Sequence, residues 1–115
     1  MREASPHHVY VLVRQDLPLT AQLVQVGHAC LEAGARFPQP AEQPCHLVVL
    51  SRDSEESLLQ TVQKMEQEGV AMRLFFDPDP IPGGTERHGY TAACSAPIQG
   101  RERRLFRRLP LWKAG

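Results

Sequence analysis

The sequence predicts an α/β domain: a mixed sheet of about four strands with two parallel β-α-β crossovers, covered by helices as a three-layer α/β/α sandwich. Three observations predict it. Short valine-rich apolar runs alternate with amphipathic stretches of helical period, the pattern of strands joined through helices. Both candidate helices carry local start and stop signals. At 115 residues and 12.9 kDa the chain can bury about 65% of its unfolded surface in one core and has no room for a second. A single domain over residues 1–115 is expected.

His8–Arg14, H-V-Y-V-L-V-R, is a nearly continuous apolar run too brief for a helix and reads as a strand buried on both faces. From Pro18 to Arg36, Leu19, Leu23, Val26, Gly27, Cys30, Leu31 and Gly34 recur at spacings of three and four. With proline in the first turn and Pro38 beyond the end, this predicts an amphipathic helix. Phe37–Pro44 holds three prolines and predicts a loop, and His46–Ser51 a second buried strand. Asp53 and Glu56 have capping-box spacing ahead of Leu58, Leu59, Val62 and Met65, with Gly69 as the stop. Val70–Phe76 reads as a third strand and Asp77–Gly89 as a long loop, a length more often functional than idle. Tyr90–Ala96 reads as a fourth strand and Arg101–Arg108 as a short basic helix. Leu109–Lys113 is compatible only with an edge strand, because Pro110 lacks an N–H. Ligand crevices in such sheets lie beyond the carboxyl ends of the strands, here Arg14, Gln15 and Asp16 after the first strand and Asp77 after the third.

Composition narrows the classes. Apolar residues make up 42% and charged residues 23%, near the globular averages of ~45 and ~25%, which argues against disordered, collagen-like and disulfide-scaffold chains. No window approaches ~18 consecutive apolar residues, and Met1–Pro6 lacks a signal pattern, so a soluble, unexported, cytosolic protein with no membrane partner is expected. Cys30, Cys45 and Cys94 form no C-x-x-C pair and read as free thiols; neither metal nor cofactor is expected. A net charge of zero hides an asymmetry. Residues 99–115 hold Arg101, Arg103, Arg104, Arg107, Arg108 and Lys113 against Glu102 alone, while the remainder carries seven basic and twelve acidic groups.

No G-x-G-x-x-G, Walker loop, G-x-S-x-G or H-E-x-x-H is present, which removes the usual support for dinucleotide, nucleotide-triphosphate, α/β-hydrolase and zincin chemistry. What remains is His28 in the first helix, Asp16 ahead of it, Asp77 at the end of the third strand, and Thr85, His88 and Thr91 along the loop and fourth strand. A carboxylate, an imidazole and a hydroxyl can orient water, take its proton and polarise an ester. The structural alternatives are an imidazole paired with Glu32 one turn on, turn composition in Asp77-Pro-Asp79-Pro, a packing role for Thr91, and a solvated face for the late arginines.

The segments V-L-V-R-Q-D-L (11–17), V-Q-V-G-H-A-C (24–30), the strand-helix-strand from Leu47 to Asp77, and Tyr90-Thr91 running to Ala96-Pro97 together resemble the archaeal and eukaryotic class of peptidyl-tRNA hydrolases. The likeness is nearest to its divergent branch of peptidyl-tRNA hydrolase domain-containing proteins, and it spans Tyr10 to Lys113. It implies a compact α/β/α domain, often a homodimer, that cleaves the ester between a peptide and the terminal ribose of tRNA without a required metal. Arg14 and Asp16 match the family's Arg-Asn-Asp-Leu turn, His28 its helix histidine, Asp77 the acid of its Gln-Asp-Ala-Gly loop and Thr91 the threonine opening its fourth-strand segment. The family's lysine in the first helix falls near Ala21, and Thr85 is a loose counterpart of the threonine after the loop aspartate.

The expectation is therefore an esterase acting on peptidyl-tRNA or a related acyl-tRNA. Asp77 orients or deprotonates water, His28 and Thr91 position the ester, and Asp16 belongs to the catalytic group. Arg14, Thr85, His88, Arg103, Arg104 and Arg107 bind tRNA. The alternatives are a family member that keeps the fold as an RNA- or protein-binding module and a small-molecule hydrolase sharing the fold. Loss of the lysine cation, worth ~3 kcal/mol in a water-excluded site, separates the first alternative from the enzyme.

Overall fold

The computed structural model describes residues 6–39, 45–80 and 87–114. In chain order these form β1 (His8–Arg14), α1 (Leu19–Arg36), β2 (His46–Arg52), α2 (Glu55–Gln67), β3 (Met72–Pro80), β4 (Arg87–Ser95) and a 3₁₀ helix, Gly100–Phe106. The four strands make one sheet in the order β2-β1-β4-β3. β1 and β2 pair in parallel, and β4 runs antiparallel to both β1 and β3. The α/β class and the mixed four-stranded sheet agree with the sequence reading. β3 thus runs in the same direction as β1 and β2 but pairs with neither, so only the first crossover joins neighbouring strands. The second carries the chain from one sheet edge to the other. The cause lies in two strands: β4 offers Ala92, Ala93 and Cys94, small and wholly buried, and fits the centre, whereas β3 ends Asp-Pro-Asp-Pro and can only be an edge.

Alternation along β1 divides the core. Val9 and Val11 join Ala29, Ala33, Ala92 and Cys94 on the α1 side. Tyr10 and Leu12 join Leu50, Leu58, Val62, Met65, Ala93 and Phe106 on the α2 side, as the two-residue strand period requires. Phe106, 1% exposed, stacks on Tyr10 at 4.2 Å with rings 4° apart, so the 3₁₀ helix belongs to the α2 layer.

Several local expectations change. The buried stripe of α1 is Gln22, Gln25, Ala29 and Ala33, while Leu19, Leu23 and Leu31 face solvent. Small residues let the helix approach the sheet, and neither buried amide is left unpaired: Gln22 donates to the Gln15 and Leu17 carbonyls and accepts from Trp112 Nε1, and Gln25 bonds Thr91 and Asp77. α2 is capped one residue later than the D-x-x-E spacing implies: Ser54 accepts from the Ser57 N–H and the Ser57 hydroxyl accepts from the Ser54 N–H. Asp53 instead accepts from Gln15 Nε2 at 2.8 Å. β2 is a half-exposed edge with His46 and Leu47 in solvent rather than a strand buried on both faces. The expected loop at Asp77–Gly89 is strand from Asp77 to Pro80 and from Arg87 onward; Thr85 lies outside the described residues. The basic helix is a 3₁₀ turn. The tail beyond it forms a single antiparallel bridge, Leu50 to Leu111, beside the bonds Ser51 N–H to Pro110 C=O at 2.8 Å and Trp112 N–H to Val49 C=O at 2.9 Å.

Candidate active site

A β-bulge builds the centre of the site. Phe75 lies opposite Ala92 and Phe76 opposite Tyr90, leaving Thr91 as the extra residue of β4. The bulge re-aims Thr91, so that its wholly buried hydroxyl meets α1 and donates to Gln25 Oε1 at 2.7 Å. Gln25 Nε2 donates in turn to Asp77 Oδ2 at 3.0 Å. The carboxylate sets the direction of this chain, because the reversed amide would face an acceptor with an acceptor. Asp77 Oδ1 also accepts from the Asp79 N–H at 2.9 Å, so that among the described residues part of the carboxylate's lone-pair capacity is unused.

His88 stands beside this carboxylate, with Nδ1 3.6 Å from Asp77 Oδ2 and 2.9 Å from the Asp79 carbonyl oxygen. A carbonyl only accepts, so Nδ1 carries the proton, and in the neutral ring the lone pair lies on Nε2. Around the corner of the bulge, Glu55 Oε2 accepts from the Tyr90 N–H at 2.8 Å. Gly89 sits at φ +77°, and a Cβ there would displace the end of the Glu55 side chain from the Tyr90 N–H.

His28 lies on the same side of the sheet but outside the hydrogen-bonded chain. It is exposed, one turn beyond Gln25, and stacks on Phe75 at 4.5 Å with rings 6° apart. Phe75 precedes Asp77 by two residues, which sets the imidazole ~7 Å along the strand from the carboxylate. The three predicted groups therefore share the α1 face, with Asp77 and Thr91 joined through Gln25 and His28 a step away. Among the described residues, none of the four cavities of 360 to 490 Å³ is lined by Asp77, His28 or Thr91.

Arg14 and Asp16 hold each other and the ends of two strands. Arg14 Nε and Nη2 reach Asp16 Oδ1 and Oδ2, both at 2.9 Å, and Nη1 donates to the carbonyls of His88 at 2.6 Å and Tyr90 at 3.1 Å. Four of the five guanidinium N–H groups are spent on this clasp, half-buried because the Asp16 carboxylate stays exposed, and it ties β1 to β4 where the bulge occurs. Arg103, Arg104 and Arg107 stand on the α2 side, away from Asp77. They rim a 490 Å³ groove floored by Tyr10, Val48, Leu50 and Phe106, and Arg103 Nε donates to the Tyr10 hydroxyl at 3.1 Å.

The thiols are poor nucleophiles. Burial, helped by Glu32 and Cys30, pushes Cys94 up to about 11, and burial raises Cys30 and Cys45 as well, so thiolate is scarce near neutral pH. His8 is lowered from its usual value by burial first and Arg103 second. Gln25 is the functional residue that sequence reasoning missed. The signal that could find it is its place with Gln22, Ala29 and Ala33 on one helical stripe, a spacing that the apolar pattern of the leucines does not follow.

The model of the family described as peptidyl-tRNA hydrolase PTH2 matches residues 7–99. No curated protein matches the sequence. Among solved structures, the chain is similar to a protein of unknown function, Atu0240, from Agrobacterium tumefaciens strain C58. The TM-score is 0.62 at 10% identity, covering 96% of this chain and 100% of the other, a likeness of fold alone. Among the described residues, no helix is long and apolar enough to cross a membrane.

Proposed function

The chain belongs to the PTH2 family of peptidyl-tRNA hydrolases, and from that premise we propose that it hydrolyses the ester joining a peptide, or a related acyl group, to the terminal ribose of tRNA. The observation that carries this reading is the Asp77 carboxylate, fixed by Gln25 and the Asp79 N–H with acceptor capacity left over. A water held on that capacity gives its proton to the carboxylate as its oxygen attacks the ester carbonyl. Collapse of the tetrahedral intermediate breaks the bond to the ribose oxygen, which takes the proton back from Asp77 and leaves as the hydroxyl, restoring the carboxylate. His28, exposed over Phe75, polarises the carbonyl. Thr91 acts through Gln25 and is a positioning residue. Asp16 and Arg14 hold the bulge in place, and His88 flanks the carboxylate and offers Nε2 as an acceptor to substrate. Arg103, Arg104 and Arg107 supply charge for the tRNA backbone, an attraction that weakens with salt.

The test is release of labelled N-blocked amino acid from tRNA by the wild type and by Asp77→Asn. The expected loss is at least ~100-fold, the scale of a positioned acid-base group. Equal rates would remove Asp77 from the mechanism, and absence of release by the wild type would leave a binding module. The proposal extends to a cytosolic homodimer, in which the outer side of α1, with Leu23 and Val24 55% and Leu31 72% exposed, would be covered. Leu31→Glu would then give a monomer in sedimentation, and a wild-type monomer at micromolar concentration would discard this part.

A further inference from the structure

On the α2 side, well away from Asp77, four cations converge. Arg52 at the end of β2, Lys64 on α2, and Arg104 and Arg108 in and just after the 3₁₀ helix line a hollow of about 410 Å³ with Gln60 and Thr61. Met65, Leu105 and Leu109 complete its wall. Among the described residues, the ion pairs engage Arg14, Arg36, Arg73 and His88; no carboxylate lies within ion-pair reach of the four cations around this hollow. Arg52 Nε is moreover buried without a hydrogen-bond acceptor. A buried donor left unpaired is costly, and like charges gathered against an apolar wall repel one another. A bound anion relieves both costs at once.

We propose that this hollow is a phosphate-binding site and that its ligand is the sugar-phosphate backbone of RNA. Guanidinium forks match phosphate oxygens, and Lys64 adds a point charge; four cations suit successive phosphodiesters better than one carboxylate. The 3₁₀ geometry supports a strand-like ligand. Three residues per turn align Arg101, Arg104 and Arg107 in a row of ~6 Å repeat, continuing the basic surface outward from the hollow. Arg52 ends β2 and Asp77 lies three residues before the end of β3, edge strands that run in the same direction three inter-strand spacings, or ~15 Å, apart. Because the hollow and the carboxylate lie on opposite faces of the sheet, one RNA end reaches both only by crossing over these strand ends. The anion site stands on these residues alone, and its assignment to tRNA rests on the hydrolase reading.

The experiment is fluorescence anisotropy with a labelled RNA acceptor-stem hairpin between 50 and 200 mM KCl, which needs no turnover. Arg52→Gln and Arg108→Gln should each weaken binding about 5- to 10-fold and flatten the plot of log K against log salt by ~0.7 to 0.9. Arg73→Gln, which removes an equal charge from the Glu32 ion pair, should change neither. Losses of the same size in Arg73→Gln, or unaltered slopes in both hollow variants, overturn the site. Arg108 is exposed, so its variant keeps the test alive if Arg52→Gln fails to fold. Inorganic phosphate that shifts the Arg52 Nε–H resonance and displaces the hairpin below millimolar concentration would identify a free-anion site and overturn the RNA assignment. Slope-bearing hairpin binding without any ester release would sink the hydrolase reading and spare this one.

Discussion

Replacing Gln25 by leucine tests the connection between the bulge and the carboxylate. The side chain is 6% exposed and Thr91 is wholly buried, so the substitution strands a hydroxyl that no water reaches and removes one donor from Asp77. An unsatisfied buried hydroxyl costs ~1–3 kcal/mol, and the bond to a carboxylate that solvent can partly reclaim contributes ~1 more. Leucine keeps the volume, so the cavity contribution is small. The expected loss is about 2–4 kcal/mol, a fall in Tm of roughly 8–16 °C for a domain of this length, read by urea and thermal melts. In a Thr91→Val background the stranded hydroxyl no longer exists, so the same change should cost only ~1 kcal/mol, a coupling of about 1–3 kcal/mol in the cycle. Ester release should fall with the single variant because the carboxylate loses its tether. An additive cycle, or a single-variant cost under ~0.5 kcal/mol, would refute the chain Thr91–Gln25–Asp77.

Other expectations follow from the same packing. Phe106→Ala should cost ~3–5 kcal/mol in urea unfolding, since the ring is buried against Tyr10; a cost under ~2 kcal/mol would detach the 3₁₀ helix from the core. Gly89→Ala puts a side chain at φ +77° and pushes aside the end of Glu55, and should destabilise by about 1–2 kcal/mol, chiefly through the backbone conformation; full relief in a Glu55→Ala background would show that the contact and not φ sets the cost. His8, lowered by burial and Arg103, binds fewer protons folded than unfolded. Its contribution to stability is therefore complete above pH ~6.5 and declines as pH falls from there toward the lowered folded value. His8→Gln should flatten the pH dependence of stability below pH 6.5, and an unchanged profile would contradict the assignment.

Much of the fold is legible locally. H-V-Y-V-L-V-R declares a strand without solvent faces, and all seven residues are buried. Leu58, Val62 and Met65 mark the buried side of α2, and Gly69, at φ +91°, marks where that helix stops. These features depend on neighbours within a turn or a pleat, which the chain order itself supplies. The site was legible as a set of residues and not as an arrangement. Asp77, His28 and Thr91 are prominent in the sequence, yet nothing near Thr91 announces an extra residue in the strand, and nothing near Gln25 announces two partners 52 and 66 residues away.

Those features come from pairing between distant segments. Small residues in β4 and prolines in β3 decided that β4 lies between β1 and β3, and that pairing created the bulge. Close approach of Ala29 and Ala33 to the sheet decided which side of α1 is buried, against the direction its leucines suggested. The burial of Phe106 behind Tyr10 decided that the late arginines stand across the sheet from the carboxylate. Which elements form and where they stop follows from propensity and periodicity, which act over a few residues; which faces meet follows from tertiary packing, because surfaces assembled from distant parts of the chain make that choice.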